Sequence, residues 1–335
     1  MTPGAPGVAR ARDPEDENGL FFAAKEGNRR ALARLLSVVE QGGDASREVA
    51  RSAYRSPPPY SVGLTGAPGA GKSTIVDCLI TEARKGWRPA DAAATERVDQ
   101  VAVLAVDPTS PFSGGAILGD RVRMQRHATD PNVFIRSMAT RGHLGGLALA
   151  VPDAVRVLGA AGLALVLVET VGVGQMEVEV ASTCDTTVVT VTPGWGDSMQ
   201  ANKAGLLEVA DIFVINKADR PGAREARVDL HQMLELSPPG DWSIPIVDTV
   251  AATGEGIDEL WTEVANHREH LTRSGKLERR RSARLEQELR RVLFARLVQR
   301  VERLSEGETY GKVVKKLSEG RLDPYEAADL LIGDT

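Results

Sequence analysis

GAPGAGKST, at residues 66–74, is the stretch that decides the fold, because it matches the phosphate-binding pattern G-x-x-x-x-G-K-[ST]. Its glycines allow the backbone to curl until consecutive N–H groups point at phosphate oxygens, and the helix that follows adds its positive amino end. Lys72 would then bridge the β- and γ-phosphates, and the Ser73 hydroxyl would ligate magnesium. The predicted phosphate-binding residues are Gly66, Ala67, Pro68, Gly69, Ala70, Gly71, Lys72, Ser73 and Thr74.

Short apolar runs separated by helix-length segments lie along the chain, and the phosphate loop follows the first of them. They occupy residues 61–65, 101–106, 133–135, 163–168, 186–191, 212–215 and 244–247. Because apolar and polar residues do not alternate in them, they are typical of strands buried on both faces of a parallel sheet. The pattern predicts an α/β fold of the P-loop NTPase type, a doubly wound and mostly parallel sheet. A glycine-rich turn without a ligand is the alternative, which this context disfavours.

Two of the predicted strands end in an acid, the residue type that supplies a further oxygen ligand to magnesium. Glu169 closes LALVLV and precedes TVGVGQ, whereas Asp107 closes VAVLAV and begins a long loop that contains Asp120. A strand-terminal acid can also be a turn former. This alternative is weaker for Glu169, because the glycines that follow it permit a close approach to a phosphate. Among them, Gly172 would offer its N–H to the γ-phosphate.

The tetrad N-K-A-D at 216–219 follows a buried run and favours guanine over adenine. The Asp219 carboxylate can accept two hydrogen bonds from guanine, from the ring N–H and the exocyclic amine, and adenine cannot supply them. Lys217 can cover the base plane with its stem. Asn216 can tie the loop to the phosphate loop or to the base. The tetrad alone could be a solvated loop, but its place after the phosphate loop and the acid-ended strands favours a base pocket.

Two parts of the site are less well defined by the sequence. The backbone around Ala251 and Ala252, after the last apolar run, could meet the guanine carbonyl. Gln175 is a candidate for positioning the attacking water by residue type, although its place after Gly172 is not that of the familiar switch glutamine. The predicted catalytic groups are therefore Lys72, Gly172 and Gln175, and we expect slow intrinsic turnover with a partner as accelerator.

Composition and charge argue against several classes of protein. The net charge of −5 opposes general nucleic-acid binding, and we interpret the basic run 279–281 as a solvated helix face. Cys78 and Cys184 lie in no metal-ligand spacing. No apolar run approaches the ~18–20 residues of a membrane span. The first residues lack the apolar segment of a signal peptide, and their acids disfavour a mitochondrial presequence, so we expect a cytoplasmic protein.

Helical patterns precede and follow the α/β region. After Asn28 as a plausible N-cap, apolar residues recur with helical spacing from Leu32 to Val39. A long helix beyond residue 257 carries an apolar stripe formed by Leu285, Leu289, Val292, Leu293, Leu297 and Val301. One α/β core cannot cover such a stripe, so we expect a homodimer. The predicted division is a disordered leader at 1–15, an N-terminal helical arm at 16–56, a P-loop GTPase domain at 57–270 and a helical dimerisation extension at 271–335.

These motifs together resemble the MeaB/ArgK-type GTPases, relatives of human MMAA, which chaperone adenosylcobalamin-dependent acyl-CoA mutases such as methylmalonyl-CoA mutase. The stretches that carry the resemblance are GAPGAGKST, VDPTSP with SGGAILGDRVRM, GHLGG at 142–146, ETVGVGQ at 169–175, PGWGD at 193–197 and NKAD. Glu169 matches the glutamate that this family has in place of the commoner Asp of D-x-x-G. Trp195 departs from the family pattern and would be either a buried packing residue or an anchor for a partner.

The resemblance implies the cofactors, the partners and the role of the protein. The cofactors would be GTP or GDP with Mg²⁺, and the magnesium ligands would be Ser73, Asp107, Asp120 and Glu169. The switch loops would be 107–120, 169–177 and 193–203. The partners would be an adenosylcobalamin-dependent acyl-CoA mutase, the adenosyltransferase of the same pathway and a second copy of the chain. Hydrolysis of GTP would time cofactor loading and the release of damaged cofactor.

Other functions remain open at the level of the sequence. An ArgK-like kinase is one, although no H-R-D-like catalytic loop is visible and N-K-x-D favours guanine. A metal-insertion GTPase is another, although the chain has only 5 histidines, no histidine tract and no cysteine pair. A nucleotide-bound scaffold without turnover is the third.

Overall fold

The computed structural model describes residues 17–86, 100–108, 124–127, 129–140, 146–170, 183–195, 208–236 and 240–333. The predicted leader at 1–15 lies outside these residues, as do most of the three predicted switch loops.

A seven-stranded sheet forms the centre of the fold, with the strand order β3-β2-β4-β1-β5-β6-β7. Its strands are β1 (Tyr60–Gly66), β2 (Val101–Pro108), β3 (Val133–Thr140), β4 (Leu165–Thr170), β5 (Thr186–Val191), β6 (Ile212–Asn216) and β7 (Ile246–Thr249). All the described pairings are parallel. The predicted fold class is therefore confirmed, and each of the seven apolar runs forms a strand.

The described part of the chain contains ten α-helices. They are α1 (Glu17–Lys25), α2 (Arg29–Gln41), α3 (Gly43–Ala53), α4 (Lys72–Gly86), α5 (Gly146–Ala160), α6 (Ala223–Glu235), α7 (Ile257–Arg273), α8 (Lys276–Ser305), α9 (Glu308–Ser318) and α10 (Pro324–Gly333). Apolar residues of α4 and α7 are buried in one cluster with β1 and β4. The other face is covered by α5 together with α1, α2 and α3. The predicted cap of α2 is confirmed, because the Asn28 side chain accepts from the N–H groups of Arg30 and Ala31.

The order of the strands determines where on the sheet the candidate site lies. The loop after β1 lies between the carboxyl ends of β4 and β5, where the chain crosses from one half of the sheet to the other. In parallel sheets, ligands bind in the crevice at this edge. Glu169 near the end of β4, the phosphate loop after β1 and the tetrad that begins at the last residue of β6 all lie at the same edge of the sheet.

The chain forms two compact units, 1–282 and 283–335, whose boundary lies within α8. In the second unit, Val313 of α9 and Ala327 of α10 are buried. The predicted stripe of α8 is exposed along its length, and the exposure of its residues ranges from 37% at Val292 to 61% at Leu297. Among the described helices, none is both long and apolar enough to cross a membrane.

Candidate nucleotide-binding site

Close backbone approaches at two loop positions require glycine. Gly66 has a φ of 140°, and a Cβ there would lie 2.0 Å from the Thr190 carbonyl oxygen on the neighbouring strand β5. Gly71 has a φ of 91°, and a Cβ there would lie 2.2 Å from Nδ2 of Asn216. Any side chain at these positions would disrupt the contact between the loop and its neighbours. The glycines of the motif thus allow the loop to pack against β5 and the tetrad.

Lys72 is the first residue of α4, and its side chain is folded inside the loop. The residue is only 6% exposed. Its Nζ donates hydrogen bonds to the carbonyl oxygen of Gly66 and, at 3.1 Å, to that of Ala67. A buried ammonium needs such partners, because burying an unpaired charge is costly. The positive charge therefore lies within the loop, as expected for a group that contacts phosphate.

Ser73 and Glu169 are 96 positions apart in sequence, and the structure brings them into contact. The Ser73 hydroxyl donates to Oε1 of Glu169 at 2.5 Å. Both residues are buried, with exposures of 3% and 1%. The contact follows from register, since Glu169 of β4 pairs with Leu64 of β1, just before the loop. A hydroxyl and a carboxylate beside a phosphate loop are the oxygen donors that Mg²⁺ takes from proteins of this class, so the described donors fit this ion.

The other predicted magnesium and catalytic residues are described in part or not at all. Asp107 lies in β2 opposite Ala139 of β3, but its side chain lies outside the described part. Asp120, Gly172 and Gln175 lie entirely outside it. Their roles stay predictions.

Asn216 joins the guanine-specific tetrad to the phosphate loop. Its Nδ2 donates to the carbonyl oxygen of Ala70 at 2.7 Å. Its Oδ1 accepts from the N–H of Ala251 at 3.1 Å and from the hydroxyl of Thr249 at 3.2 Å. With 3% exposure, this side chain binds protein on both sides. The sequence left open whether Asn216 ties its loop to the phosphate loop or to the base, and the structure shows the contact with the phosphate loop.

The rest of the tetrad is less buried than Asn216. Lys217 has a φ of 61°, the only positive value at a non-glycine residue in the described part of the chain. Its Nζ donates to the Gly69 carbonyl oxygen at 2.7 Å, so its stem crosses toward the phosphate loop. Asp219 is exposed. Because the Ala251 N–H already binds Asn216, the exposed Ala252 is left as the predicted contact for the guanine carbonyl.

Three residues that reinforce the site were missed from the sequence. The Thr190 carbonyl faces Gly66, Thr249 binds Asn216, and Thr170 donates to the Leu64 carbonyl oxygen at 3.2 Å. Each lies at or near the carboxyl end of a strand. A threonine just after an apolar run is the only sequence signal for Thr170 and Thr249, and Thr190 acts through its backbone carbonyl group, which the residue type does not reveal.

A buried charge network lies at the opposite, amino edge of the sheet. Arg280 of α8 binds both carboxylate oxygens of Asp211, at 2.9 and 3.1 Å. His267 Nε2 lies 3.2 Å from the same carboxylate. Burial alone would raise the pKa of Asp211, but His267 and Arg280 hold it below its usual value.

A second arginine of the same basic run is also paired. Arg281 binds both oxygens of Asp185, at 3.2 and 2.7 Å. Its pKa is raised: burial opposes the charge, but the hydrogen bond to Asp185 outweighs this effect. The prediction that residues 279–281 form a solvated face is therefore wrong for Arg280 and Arg281, because acids before β5 and β6 lie within reach. Only Arg279 is exposed.

Trp195 is a buried packing residue. It is 5% exposed and belongs to an apolar cluster with Phe213 and Ile215 of β6. In this structure it is not available as an anchor for a partner.

Comparison with known proteins identifies a family. Residues 32–306 match the family described as Methylmalonyl Co-A mutase-associated GTPase MeaB. A Pyrococcus abyssi protein named as a candidate GTPase is 48% identical over 318 residues, covering 93% of this chain and 95% of that protein. GTPase ArgK of Escherichia coli is 35% identical over 266 residues, covering 76% of each. The mouse mitochondrial methylmalonic aciduria type A homolog is 31% identical over 334 residues, covering 93% of this chain and 78% of that protein.

A solved structure described as a LAO/AO transport system kinase has the same fold. The TM-score is 0.65 at 24% identity, and the match covers 98% of this chain and 99% of that one. The chain therefore belongs to the MeaB family and is a GTPase with the P-loop fold.

Proposed function

We propose that this GTPase is a chaperone that gates the loading of adenosylcobalamin onto an acyl-CoA mutase of the methylmalonyl-CoA mutase type, and the release of damaged cofactor. The proposal rests on the family match, whose description is mutase-associated, and on the mouse relative, which is named for methylmalonic aciduria. An adenosyltransferase of the same pathway would be a further partner. Hydrolysis of GTP would time the transfer.

One observation carries the choice of GTP as the nucleotide. Asn216 binds the phosphate loop through Ala70 and the last loop of the site through Ala251. The exposed Asp219 lies three positions further on, where it can accept the ring N–H and amine of guanine. Base and phosphate recognition are therefore parts of one hydrogen-bonded unit, which suits a guanine nucleotide bound along the carboxyl edge of the sheet.

The proposed mechanism combines Lys72, Ser73 and Glu169, whose contacts the structure describes, with residues whose roles are predictions from the sequence. Lys72 would move its hydrogen bonds from the loop carbonyls to the β- and γ-phosphate oxygens, where its charge stabilises the transition state. Ser73 and Glu169 would hold Mg²⁺ with Asp107 and Asp120, and the ion would supply positive charge to the same oxygens. Gly172 would donate its N–H to the γ-phosphate, and Gln175 would orient the attacking water.

The homodimer also belongs to this proposal. Five apolar residues of α8, each 41–61% exposed, recur every fourth position: Leu285, Leu289, Leu293, Leu297 and Val301. Contiguous apolar surface of this kind marks an association site in proteins of ordinary solubility. A second copy of the chain would cover it.

Two measurements test the function. Calorimetry with GTP and ATP separates a guanine nucleotide chaperone from an ArgK-like kinase, which would bind ATP. Phosphate release is then followed with and without the cognate mutase, beside cofactor loading read by absorbance. We expect the mutase to raise turnover severalfold or more, and GTP but not GDP to alter cofactor transfer. If a complex forms and neither rate responds to the other component, the chaperone role is wrong.

A further inference from the structure

We propose that Cys78 of α4 is a positioning residue for guanine recognition, because its thiol holds the peptide group between Ala251 and Ala252 in the orientation that presents the Ala252 N–H to the guanine carbonyl. The inference rests on the proposed function, since it deepens the choice of guanine as the base. Cys78 itself contacts no nucleotide in this scheme. It would act only through the backbone of the loop after β7.

Hydrogen bonds fix the backbone of this loop on both sides of Ala251, which is only 5% exposed. The Ala251 N–H donates to Oδ1 of Asn216 at 3.1 Å. The Ala251 carbonyl oxygen accepts from Sγ of Cys78 at 3.4 Å. The two partners belong to different elements, since Asn216 ends β6 and Cys78 lies within α4. The two peptide planes that adjoin Ala251 are therefore each held by one hydrogen bond.

The bond from Cys78 determines where the next N–H is directed. The described part of the chain contains no cis peptide bond. In a trans peptide, the C=O of one residue and the N–H of the next point in opposite directions. Because the Ala251 carbonyl is directed at Cys78, the Ala252 N–H is directed away from α4. Ala252 is exposed, and no group in the described part of the chain accepts from this N–H, so it is available to the guanine carbonyl oxygen.

The surroundings of Cys78 leave its thiol hydrogen one acceptor. In the part of the chain that the structure describes, Sγ contacts Nη2 of Arg126 at 3.6 Å and the Ala251 carbonyl oxygen. A guanidinium group only donates hydrogen bonds, so the S–H is left to donate to Ala251. A thiol is a weak donor. We therefore expect Cys78 to bias the orientation of the peptide group by a small free energy.

The same loop offers a matched control for general loosening. The Thr253 hydroxyl donates to the Val250 carbonyl oxygen at 3.1 Å. This bond also joins a side chain to the backbone of the loop, but it does not touch the peptide group between Ala251 and Ala252. Thr253→Ala should therefore remove one bond from the loop without altering which part of the base the protein discriminates.

Two nucleotide analogues separate the two parts of base recognition. In 6-thioguanosine diphosphate, sulfur replaces the guanine carbonyl oxygen and is a weaker acceptor, whereas the ring N–H and the amine that Asp219 would bind are kept. Inosine diphosphate keeps the carbonyl oxygen and lacks the amine. The first analogue therefore probes the Ala252 contact, and the second probes the Asp219 contact.

The experiment is calorimetric titration of the full-length protein with GDP and both analogues, in the presence of Mg²⁺. In Cys78→Ala, we expect the preference for GDP over the thio analogue to fall by about two- to fivefold, the lower range for one hydrogen bond. The preference for GDP over inosine diphosphate should stay unchanged. Cys78→Ser should keep part of the first preference, because a hydroxyl also donates. Alanine favours helix, so the first variant should fold, and thermal unfolding checks this.

Three outcomes overturn the role of Cys78 and leave the function standing. The first is a wild type that prefers GDP to both analogues while Cys78→Ala keeps both preferences. The second is a fall of equal size in Thr253→Ala, or in the preference over inosine diphosphate, because the effect is then general loosening of the loop. The third is a serine variant that behaves like the alanine variant, because the thiol then acts through its volume.

The wild type alone tests the contacts on which the inference is built. If it prefers GDP to inosine diphosphate but binds the thio analogue equally well, Ala252 does not contact the base carbonyl, and the role of Cys78 is wrong. If it discriminates against neither analogue, the choice of guanine in the proposed function is wrong, and the inference fails with it.

Discussion

Replacing Gly71 by alanine tests whether the phosphate loop and the guanine tetrad act as one unit. The backbone at Gly71 has a φ of 91°, a conformation that costs a residue with a Cβ about 1–2 kcal/mol. The added Cβ would lie 2.2 Å from Nδ2 of Asn216, so the amide must turn away from Ala70. Losing that hydrogen bond at a buried donor costs about 1–3 kcal/mol. The free loop of the variant would relax from this conformation, so GDP binding would have to restore it at a cost of about 2–5 kcal/mol, which predicts a fall in GDP affinity of about thirtyfold or more.

Gly69→Ala is the matched control in the same loop. Its φ is 75°, and a Cβ there has nothing within 4 Å, so it carries the backbone cost alone. The assay is calorimetric titration of both variants with GDP and Mg²⁺, after thermal unfolding has shown that they fold. Gly71→Ala should bind about five- to 150-fold more weakly than Gly69→Ala, which corresponds to about 1–3 kcal/mol. In an Asn216→Ala background this difference should vanish. Equal affinities of the two glycine variants would refute the reasoning.

Four other changes follow from the site and its surroundings. Lys72→Ala should abolish tight nucleotide binding or hydrolysis, since a buried charge inside the phosphate loop is lost; near-normal GTP turnover would show that the phosphate site is misassigned. Asp219→Asn should weaken GDP binding and admit xanthine nucleotides in competition assays, and unchanged guanine preference would remove Asp219 from the pocket. Truncation after residue 282 should give a monomer by light scattering, because the α8 stripe is lost; a monomeric full-length protein would contradict the dimer. The pKa of Asp211 is lowered on folding, so its contribution to stability is present above its unfolded pKa of about 3.9 and is lost as the pH falls through the folded value. Arg280→Gln should therefore lower the free energy of unfolding by about 1–3 kcal/mol at pH 7. The difference in unfolding free energy between this variant and the wild type, measured by chemical denaturation, should become smaller below about pH 4.

The fold could be predicted because its signals are local. The phosphate-loop motif requires a strand before it and a helix after it. Seven apolar runs, in which apolar and polar residues do not alternate, indicate a parallel sheet. The ends of the strands were predicted less accurately than their number and order in the chain. The last run was predicted at 244–247, whereas β7 is Ile246–Thr249, because Pro245 has no N–H to give to the ladder. The structure brings the phosphate loop and the tetrad into contact through Asn216 and Ala70; the nucleotide-binding role of these residues stays a prediction from motif spacing.

Contacts across the sheet could be predicted only where topology makes them unavoidable. Ser73 and Glu169 meet because the carboxyl ends of β1 and β4 are neighbours; the side chains of the other two predicted ligands, Asp107 and Asp120, lie outside the described part of the chain. The fit of Asn216 against Gly71 depends on atomic distances, and no pattern in the sequence contains them. The same is true of the contact between His127 and the Asp77 carbonyl oxygen, which joins residues 50 positions apart.

The error at the basic run has a definite physical origin. A helical arginine is solvated or paired according to what lies opposite, and here the partners are 69 and 96 positions away. The acids themselves carried a signal, however. Asp185 and Asp211 each directly precede a buried strand, and each accepts a backbone N–H from the strand beside it, from Ser61 at 3.1 Å and Thr187 at 2.9 Å.

An acid repeated at the same place before two neighbouring strands is costly to bury without a cation. The run at 279–281 offers a cluster of cations in an amphipathic segment. Pairing the two features would have placed the start of α8 against the amino ends of β5 and β6, where the structure has it. Buried acids should therefore be matched with candidate cations before a charged helix face is assigned to solvent.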